Sequence, residues 1–503
     1  MPDFHVEHFG CRAARADGEA VGSRLRAAGL ALGDPADADV VVVNTCSVTA
    51  EADRAARAFI RRTHRLNPQA RIVVTGCYAQ RAPQELSAMA GVAAVVGNSH
   101  KALAPEIVLS VMDDARQHSA GLVSPSFVSL QSLAATSAPG TAQRHAPVWA
   151  DDSFAHSFIE EAQLAPGEQT RPNLKIQEGC GNRCTFCVIP QTRGSSRSLP
   201  HDAVLRQVEG FVAAGGNELV LSGINLGRWG RDLLAEPGTP AQTLAGLVRE
   251  IVERTGLPRL RLSSIEPMDW NADLIALMAE FGGGTLARHA HLPLQSGSDA
   301  VLRRMHRRYR PWHYVEKVEA LLRAAGADLT LGADVMVGFP GETDAEFEET
   351  LAMVRALPFG YLHIFPFSPR PGTRGWALHA EHPVAQQLVD ERMAALRALA
   401  LEKTRAHRMR FIGRTIGAIT LHTPAALAAK GRTAALTENF LPVELAAAPR
   451  NMRPMAANQL LNVRISAIKV DGTLEATAGR IQSPLRLPMR HEANPVLAEP
   501  LFS

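Results

Sequence analysis

Cysteine is scarce in this chain of 503 residues: there are six, Cys11, Cys46, Cys77, Cys180, Cys184 and Cys187, and none beyond residue 187. A secreted disulfide scaffold is short and cysteine-dense, so that class is excluded. Long apolar runs are also missing. No stretch approaches the ~18 residues that span a bilayer, and the first residues carry neither a basic n-region nor an apolar h-region. Neither sign of charge dominates: 53 Lys and Arg stand against 50 Asp and Glu, so a nucleic-acid partner has to be sought in local patches. An apolar fraction of 46% with 20% charged residues excludes wholesale disorder. The absences point to a cytoplasmic chain with no membrane partner, whose reduced thiols are free for metal or catalytic use. At this length about three domains of ~150 residues are expected.

The fold class is α/β, in three units. Residues 1–112 read as an open parallel α/β domain, with strands at 4–9, 39–44 and 71–75 and helices at 18–28 and 51–66. Cys11, Cys46 and Cys77 each follow one of these strands. Strand C-termini of an open parallel sheet share one edge, so the three can converge there; three buried structural cysteines are the alternative. Residues 113–171, rich in Ala, Ser, Pro and Gln, read as a linker or insertion. From 172 to 410 a second βα series runs, with strands at 173–177, 218–221, 259–263, 289–294, 330–337 and 361–366. Six units predict a partial (βα)6 barrel, with a doubly wound sheet as the alternative. Residues 411–485 shorten to β-like stretches at 415–421, 440–445, 460–467 and 475–480, the size of a small antiparallel barrel, followed by a tail at 486–503. From residue 410 onward 11 Lys and Arg face 6 Asp and Glu, a modest basic bias.

Cys180, Cys184 and Cys187 form a Cys-x3-Cys-x2-Cys word directly after a predicted strand, a spacing that arises by chance about once in a thousand chains of this composition. Zinc would need a fourth ligand, for which His201 is the nearest candidate. Three thiolates on a cubane iron–sulfur cluster instead leave one iron open to a cosubstrate. After the first strand of a βα barrel, that cluster would face the catalytic mouth.

The word resembles the radical S-adenosylmethionine superfamily, and its surroundings resemble one family within it, the methylthiotransferases. The likeness is carried by residues 175–198, by Leu292-Pro-Leu-Gln-Ser-Gly-Ser298 and by Asp334-Val-Met-Val-Gly-Phe-Pro-Gly-Glu-Thr343. In the N-terminal domain it is carried by Val43-Asn-Thr-Cys-Ser-Val-Thr49 and Val74-Thr-Gly-Cys-Tyr-Ala-Gln80. It covers residues 3–110 and 172–480. One departure is Ala14, where relatives carry Asn three residues after the first cysteine.

The resemblance implies two [4Fe-4S] clusters. Cys180, Cys184 and Cys187 would hold the one that binds S-adenosylmethionine; Cys11, Cys46 and Cys77 would hold an auxiliary cluster that supplies sulfur. An external electron donor is needed. Candidate cosubstrate contacts are polar residues at strand ends: Ser222 with Gly223, Ser264 with Glu266, and Gln295. The five arginines of residues 303–310 read as a solvated helix face or, beside RNA, as phosphate contacts. The basic C-terminal barrel resembles the family's TRAM domain, which implies tRNA as partner, with an exposed anticodon-loop adenosine as target.

Wording around Cys77 and Cys180 resembles the branch acting on N6-threonylcarbamoyladenosine at tRNA position 37. Its carboxylate calls for charge-assisted partners, for which Arg193 and Arg197 are the candidates. The other branches act on N6-isopentenyladenosine in tRNA or on a ribosomal-protein aspartate; a non-catalytic iron–sulfur RNA-binding protein is the reading of another class.

Overall fold

Four consecutive valines, Val40 to Val43, explain the first unit. Val40 and Val42 enter one apolar cluster with Phe4, Leu25 and Val108, while Val41 and Val43 enter another with Phe59, Ile60 and Tyr78. A strand that buries both faces belongs to a parallel sheet covered on both sides by helices. The computed structural model describes residues 2–119, 145–154, 159, 164, 170–233, 242–446 and 453–481. Among them the N-terminal sheet has six parallel strands, ordered Ala31–Leu32, Asp3–His8, Val40–Thr45, Arg71–Gly76, Val92–Gly97, Val148–Trp149. Helices Arg12–Ala27 and Ala50–Leu66 follow the first and third strands of the chain. The order reverses between Asp3–His8 and Val40–Thr45, and such a switch point opens a crevice at the strand C-termini. Two parts of the stretch read as a linker are regular: helix Ala104–Ser119 runs into it, and Val148–Trp149 is the sheet's last strand. The rest of its core, residues 120–144, and the 486–503 tail lie outside the described residues.

The central unit carries all six expected strands. Asn173–Glu178, Glu218–Gly223 and Arg259–Leu262 pair in parallel, as do His289–His291, Thr330–Val337 and Phe359–Pro366; an isolated bridge pairs Leu260 with Leu286, just ahead of His289–His291. This is an open barrel, with the short antiparallel strand Arg197–Ser198 at its first edge. Its apolar residues form one core with Trp229, Trp270 and Tyr314 fully enclosed.

The C-terminal unit is a closed barrel of five strands, in order Thr415–Thr420, Thr433–Thr437, Pro442–Leu445, Leu474–Ile481, Leu460–Ile468. It is not wholly antiparallel, because Pro442–Leu445 pairs in parallel with Leu474–Ile481. The alanines of Thr433–Thr437 hide that strand from a search for β-branched runs. Ion pairs Arg288–Glu438 at 2.6 Å and Arg414–Asp328 dock this barrel on the central one. No helix among the described residues is long and apolar enough to cross a membrane.

Candidate active site

Cys11, Cys46 and Cys77 stand just past the C-termini of three neighbouring strands, at the switch-point edge. Gly10 packs so tightly on Cys46 that an added Cβ would lie 2.8 Å from its Sγ. Burial pushes the Cys46 thiol up to about 12, and Cys77 and Cys11 push it further the same way, which records how near the three stand. Ala14 sits buried in the turn, and the Asn44 side-chain amide donates to its carbonyl. Asn44 thus ties the start of helix Arg12–Ala27 to the neighbouring strand.

Cys180, Cys184 and Cys187 line one cavity of about 960 Å³ together with Phe154, Arg197 and His306. Burial pushes the Cys187 thiol up to about 12, with Cys184 and Cys180 adding to the rise. Thiols held this high stay protonated at neutral pH unless a cation takes the proton's place. Among the described residues no three Cys, His, Asp or Glu side chains could hold a single metal ion. The thiolates of a cubane each bind a different iron and stand further apart than the ligands of one ion, so two sets of three soft donors fit clusters. Zinc is set aside also because His201 is committed elsewhere, Nε2 to Glu250 at 2.7 Å and Nδ1 to Asp202 at 3.0 Å.

Residues 3–97 match the uncharacterized protein family UPF0004, and residues 174–354 match the radical SAM superfamily. The chain is 35% identical to the threonylcarbamoyladenosine tRNA methylthiotransferase MtaB of Bacillus subtilis (strain 168), with 79% of each chain covered. It is 32% identical to the Thermotoga maritima protein of the same name, over 82% of this chain and 85% of that one. To the tRNA-2-methylthio-N(6)-dimethylallyladenosine synthase of Cereibacter sphaeroides (strain ATCC 17029 / ATH 2.4.9) it is 33% identical, over 82% of this chain and 86% of the other. The chain belongs to the radical S-adenosylmethionine tRNA methylthiotransferase family. It is therefore an enzyme, which removes the non-catalytic reading, and it works with S-adenosylmethionine and an iron–sulfur cluster.

In this methylthiotransferase each cysteine trio has one buried arginine on it. Arg193 Nε donates to Cys77 Sγ at 3.2 Å, and Arg307 Nη1 donates to Cys184 Sγ at 3.3 Å. Each guanidinium is anchored by a carboxylate, Glu178 at 2.6 Å for Arg193 and Glu266 for Arg307. Asn98 adds a contact of 3.4 Å to Cys77, and Asn225 one of 3.5 Å to Cys180. None of these donors stands out in the sequence as a ligand neighbour; Arg193 and the run around Arg307 carried signals, but as substrate contacts.

Every arginine of the run has a carboxylate partner, and Arg303 and Arg308 remain exposed. Arg303 and Arg310 pair with Asp299, Arg304 with Glu346, Arg307 with Glu266 and Arg308 with Asp269. Arg193 also differs from the expectation. It is fully buried between the first two domains, with Nη1 on Glu178 and, at 3.0 Å, on Asp17. Lys101 and Lys175 complete this enclosed network by pairing with the same two carboxylates. A guanidinium spent on two carboxylates and a thiol is a strut rather than a substrate hand. Arg197 lines the cavity of the second trio but donates to the carbonyls of Arg193 at 3.0 Å and Ser195 at 3.3 Å.

The strand-end candidates share the barrel's C-terminal end. Ser222 is buried and bonds the Leu174 carbonyl at 3.4 Å, and Gly223 presses against Gln177 with no room for a side chain. Ser264 Oγ meets His291 Nδ1 at 2.9 Å, and Glu266 holds Arg307. Gln295 is the most telling of the five, because it adopts φ 63° while its buried Oε1 has no partner among the described residues. Strain together with an orphaned acceptor is a usual mark of a ligand site.

Proposed function

We propose that the enzyme converts N6-threonylcarbamoyladenosine at position 37, in the tRNA anticodon loop, to its 2-methylthio derivative. The observation that carries the reading is the sorting of all six cysteines into two converging trios, each with its own arginine, on either side of one domain junction. Similarity to threonylcarbamoyladenosine methylthiotransferases over about four fifths of the chain supports the choice of nucleoside. In this reading Cys180, Cys184 and Cys187 hold one [4Fe-4S] cluster and Cys11, Cys46 and Cys77 hold the second. When bound, the first delivers an electron from an external donor to S-adenosylmethionine, and the second supplies sulfur. The chain's part is to hold the thiols in place, to wall the junction from water with the Asp17–Lys101–Lys175–Glu178–Arg193 network, and to present Gln295 and Ser264 at the barrel mouth. The C-terminal barrel binds the tRNA backbone.

The similarity to a dimethylallyladenosine synthase favours a second reading, in which the substrate carries an isopentenyl group. Purified, anaerobically reconstituted enzyme separates the two. It should methylthiolate tRNA bearing threonylcarbamoyladenosine and leave tRNA bearing isopentenyladenosine unchanged; the reverse preference would replace the first reading by the second. Iron analysis tests the clusters: about eight irons per chain are expected, and about four after replacement of either trio by alanine.

A further inference from the structure

A carboxylate on the substrate needs a cation that the protein has not already neutralised, and the two arginines that the sequence offered for it are spent. Arg193 serves Asp17, Glu178 and Cys77, and Arg197 holds two backbone carbonyls. Arg12 is different. It opens helix Arg12–Ala27, directly after Cys11, and keeps open surface. Among the described residues no carboxylate faces it; the polar groups around it are the Tyr361 hydroxyl, Arg261, Arg171, His289 and His363.

Its surroundings are built from the inner wall of the barrel. His289 and His291 alternate inward on one strand, and Tyr361 and His363 on another. His289 stacks on Tyr361 at 5.9 Å between ring centres and on Phe440 at 4.3 Å, and His291 stacks on Tyr361 at 5.9 Å. Phe440 comes from the C-terminal barrel, and the Arg12 guanidinium lies 5.8 Å from its ring centre. Three domains thus meet at one aromatic wall. The charge there is positive: beside Arg12, Arg171, Arg259 and Arg261 share Glu218, Glu438 also acts on Arg259 but pairs with Arg288 at 2.6 Å, and Asp334 pairs with His291 at 3.4 Å.

Substrate chemistry places a cation where Arg12 stands. On adenine, C2 and C6 flank N1, and C6 carries N6 on the same edge. Sulfur arriving at C2 and a counter-charge for the threonyl carboxylate, which hangs from N6 through the carbamoyl link, therefore fall on the same side of the base. Cys11 and Arg12 are consecutive, their Cα atoms ~3.8 Å apart across one peptide. We infer that Arg12 is the specificity residue that pairs with the threonyl carboxylate of the nucleoside, beside an aromatic wall of Tyr361 and Phe440, backed by the buried His289, that suits a purine. The inference rests on the reading of the substrate as N6-threonylcarbamoyladenosine.

The test is a cycle in which both protein and ligand change. Holoenzyme, wild type or Arg12→Gln, is titrated with three anticodon stem-loops. One carries threonylcarbamoyladenosine, the second its carboxyl methyl ester, and the third isopentenyladenosine. Wild type should bind the acid on the order of ten- to a hundredfold tighter than the ester, the range of a charge-assisted hydrogen bond. Arg12→Gln should bind acid and ester alike, and Arg12→Lys should regain part of the preference. Iron content and affinity for S-adenosylmethionine should be unchanged in both variants. An acid preference that survives in Arg12→Gln would overturn the inference and leave the substrate reading standing. Weakened S-adenosylmethionine binding would overturn it too, by assigning Arg12 to the cosubstrate's carboxylate. Wild type preferring the isopentenyl stem-loop would overturn the substrate reading and the inference together.

Discussion

Asp17→Asn removes one of two carboxylates from the enclosed network and leaves Lys101, Lys175 and Arg193 facing Glu178 alone. Breaking a buried ion pair from one side typically costs about 3–5 kcal/mol. Here the loss has a relief valve. Burial already lowers Lys101 to about 8, against which Asp17 and Glu178 only partly hold its charge. Shedding that proton at pH 7 costs about 1.4 kcal/mol, one unit of pKa. The lost charged hydrogen bonds from Lys175 and Arg193 add to it, so about 3 kcal/mol is expected. Asp17 and Lys101 belong to the N-terminal domain and the other three to the barrel, so the loss falls on domain docking. Hydrogen exchange of helix Arg12–Ala27 and strand Asn173–Glu178 reads it, as exchange about a hundredfold faster than in wild type. The penalty also has a pH sign. The folded Lys101 pKa lies below its unfolded value of 10.5, so the unfolded chain binds the extra proton between about 8 and 10.5. Stability from this group therefore rises with pH across that window, and its cost is fully present below it. Adding Lys101→Met to Asp17→Asn restores the charge balance and should recover more than half of the loss. Exchange accelerated less than threefold by Asp17→Asn, or a double variant worse than the single, would refute the reasoning.

Three other outcomes follow from the geometry. Arg307→Gln removes the cation and the N–H that reach Cys184, so the reduction potential of the cluster proposed there should fall by about 60 mV in an EPR-monitored titration, with the other cluster unmoved. His407 is lowered to about 4 by burial, with Arg410 and Arg408 adding to the fall, and its Nε2 meets Thr330 Oγ1 at 2.9 Å. Its neutral form is favoured in the fold, so stability it contributes above pH 6.5 should be lost as pH falls from 6.5 through 4, by up to about 3 kcal/mol, and His407→Gln should flatten that part of the melting-temperature profile. Deleting residues 411–503 should weaken tRNA binding and reduce its salt dependence in filter-binding titrations. The exposed junction keeps its charges paired, since Arg288 and Asp328 also contact each other at 3.3 Å.

Much of the fold was legible because its signals are periodic and local. The run Val40 to Val43 announces a doubly covered parallel strand, and all six barrel strands were found as short runs set between helical patterns. Strands Val92–Gly97 and Thr433–Thr437 went unseen; the latter, at least, is short and alanine-rich. Convergence of Cys11, Cys46 and Cys77 could be anticipated from strand ends alone. What surrounds the thiols could not. Arg193 lies 116 residues from Cys77 and meets it only through the docking of two domains, while Arg307 lies 123 from Cys184 and meets it only through closure of the barrel. The same limit misdirected the search for a carboxylate partner. Nearness in sequence to the cysteine word favoured Arg193, which the domain junction neutralises, while Arg12 lacked any sequence signal beyond following Cys11.

The most direct test of the account is mass spectrometry of tRNA nucleosides from cells with and without this gene. The account predicts that 2-methylthio-N6-threonylcarbamoyladenosine disappears on deletion, with N6-threonylcarbamoyladenosine accumulating in its place. The intact gene should restore it, and a copy in which Cys11, Cys46 and Cys77 are replaced by Ala should not. Unchanged levels of that nucleoside on deletion, or loss of 2-methylthio-N6-isopentenyladenosine instead, would contradict the central claim.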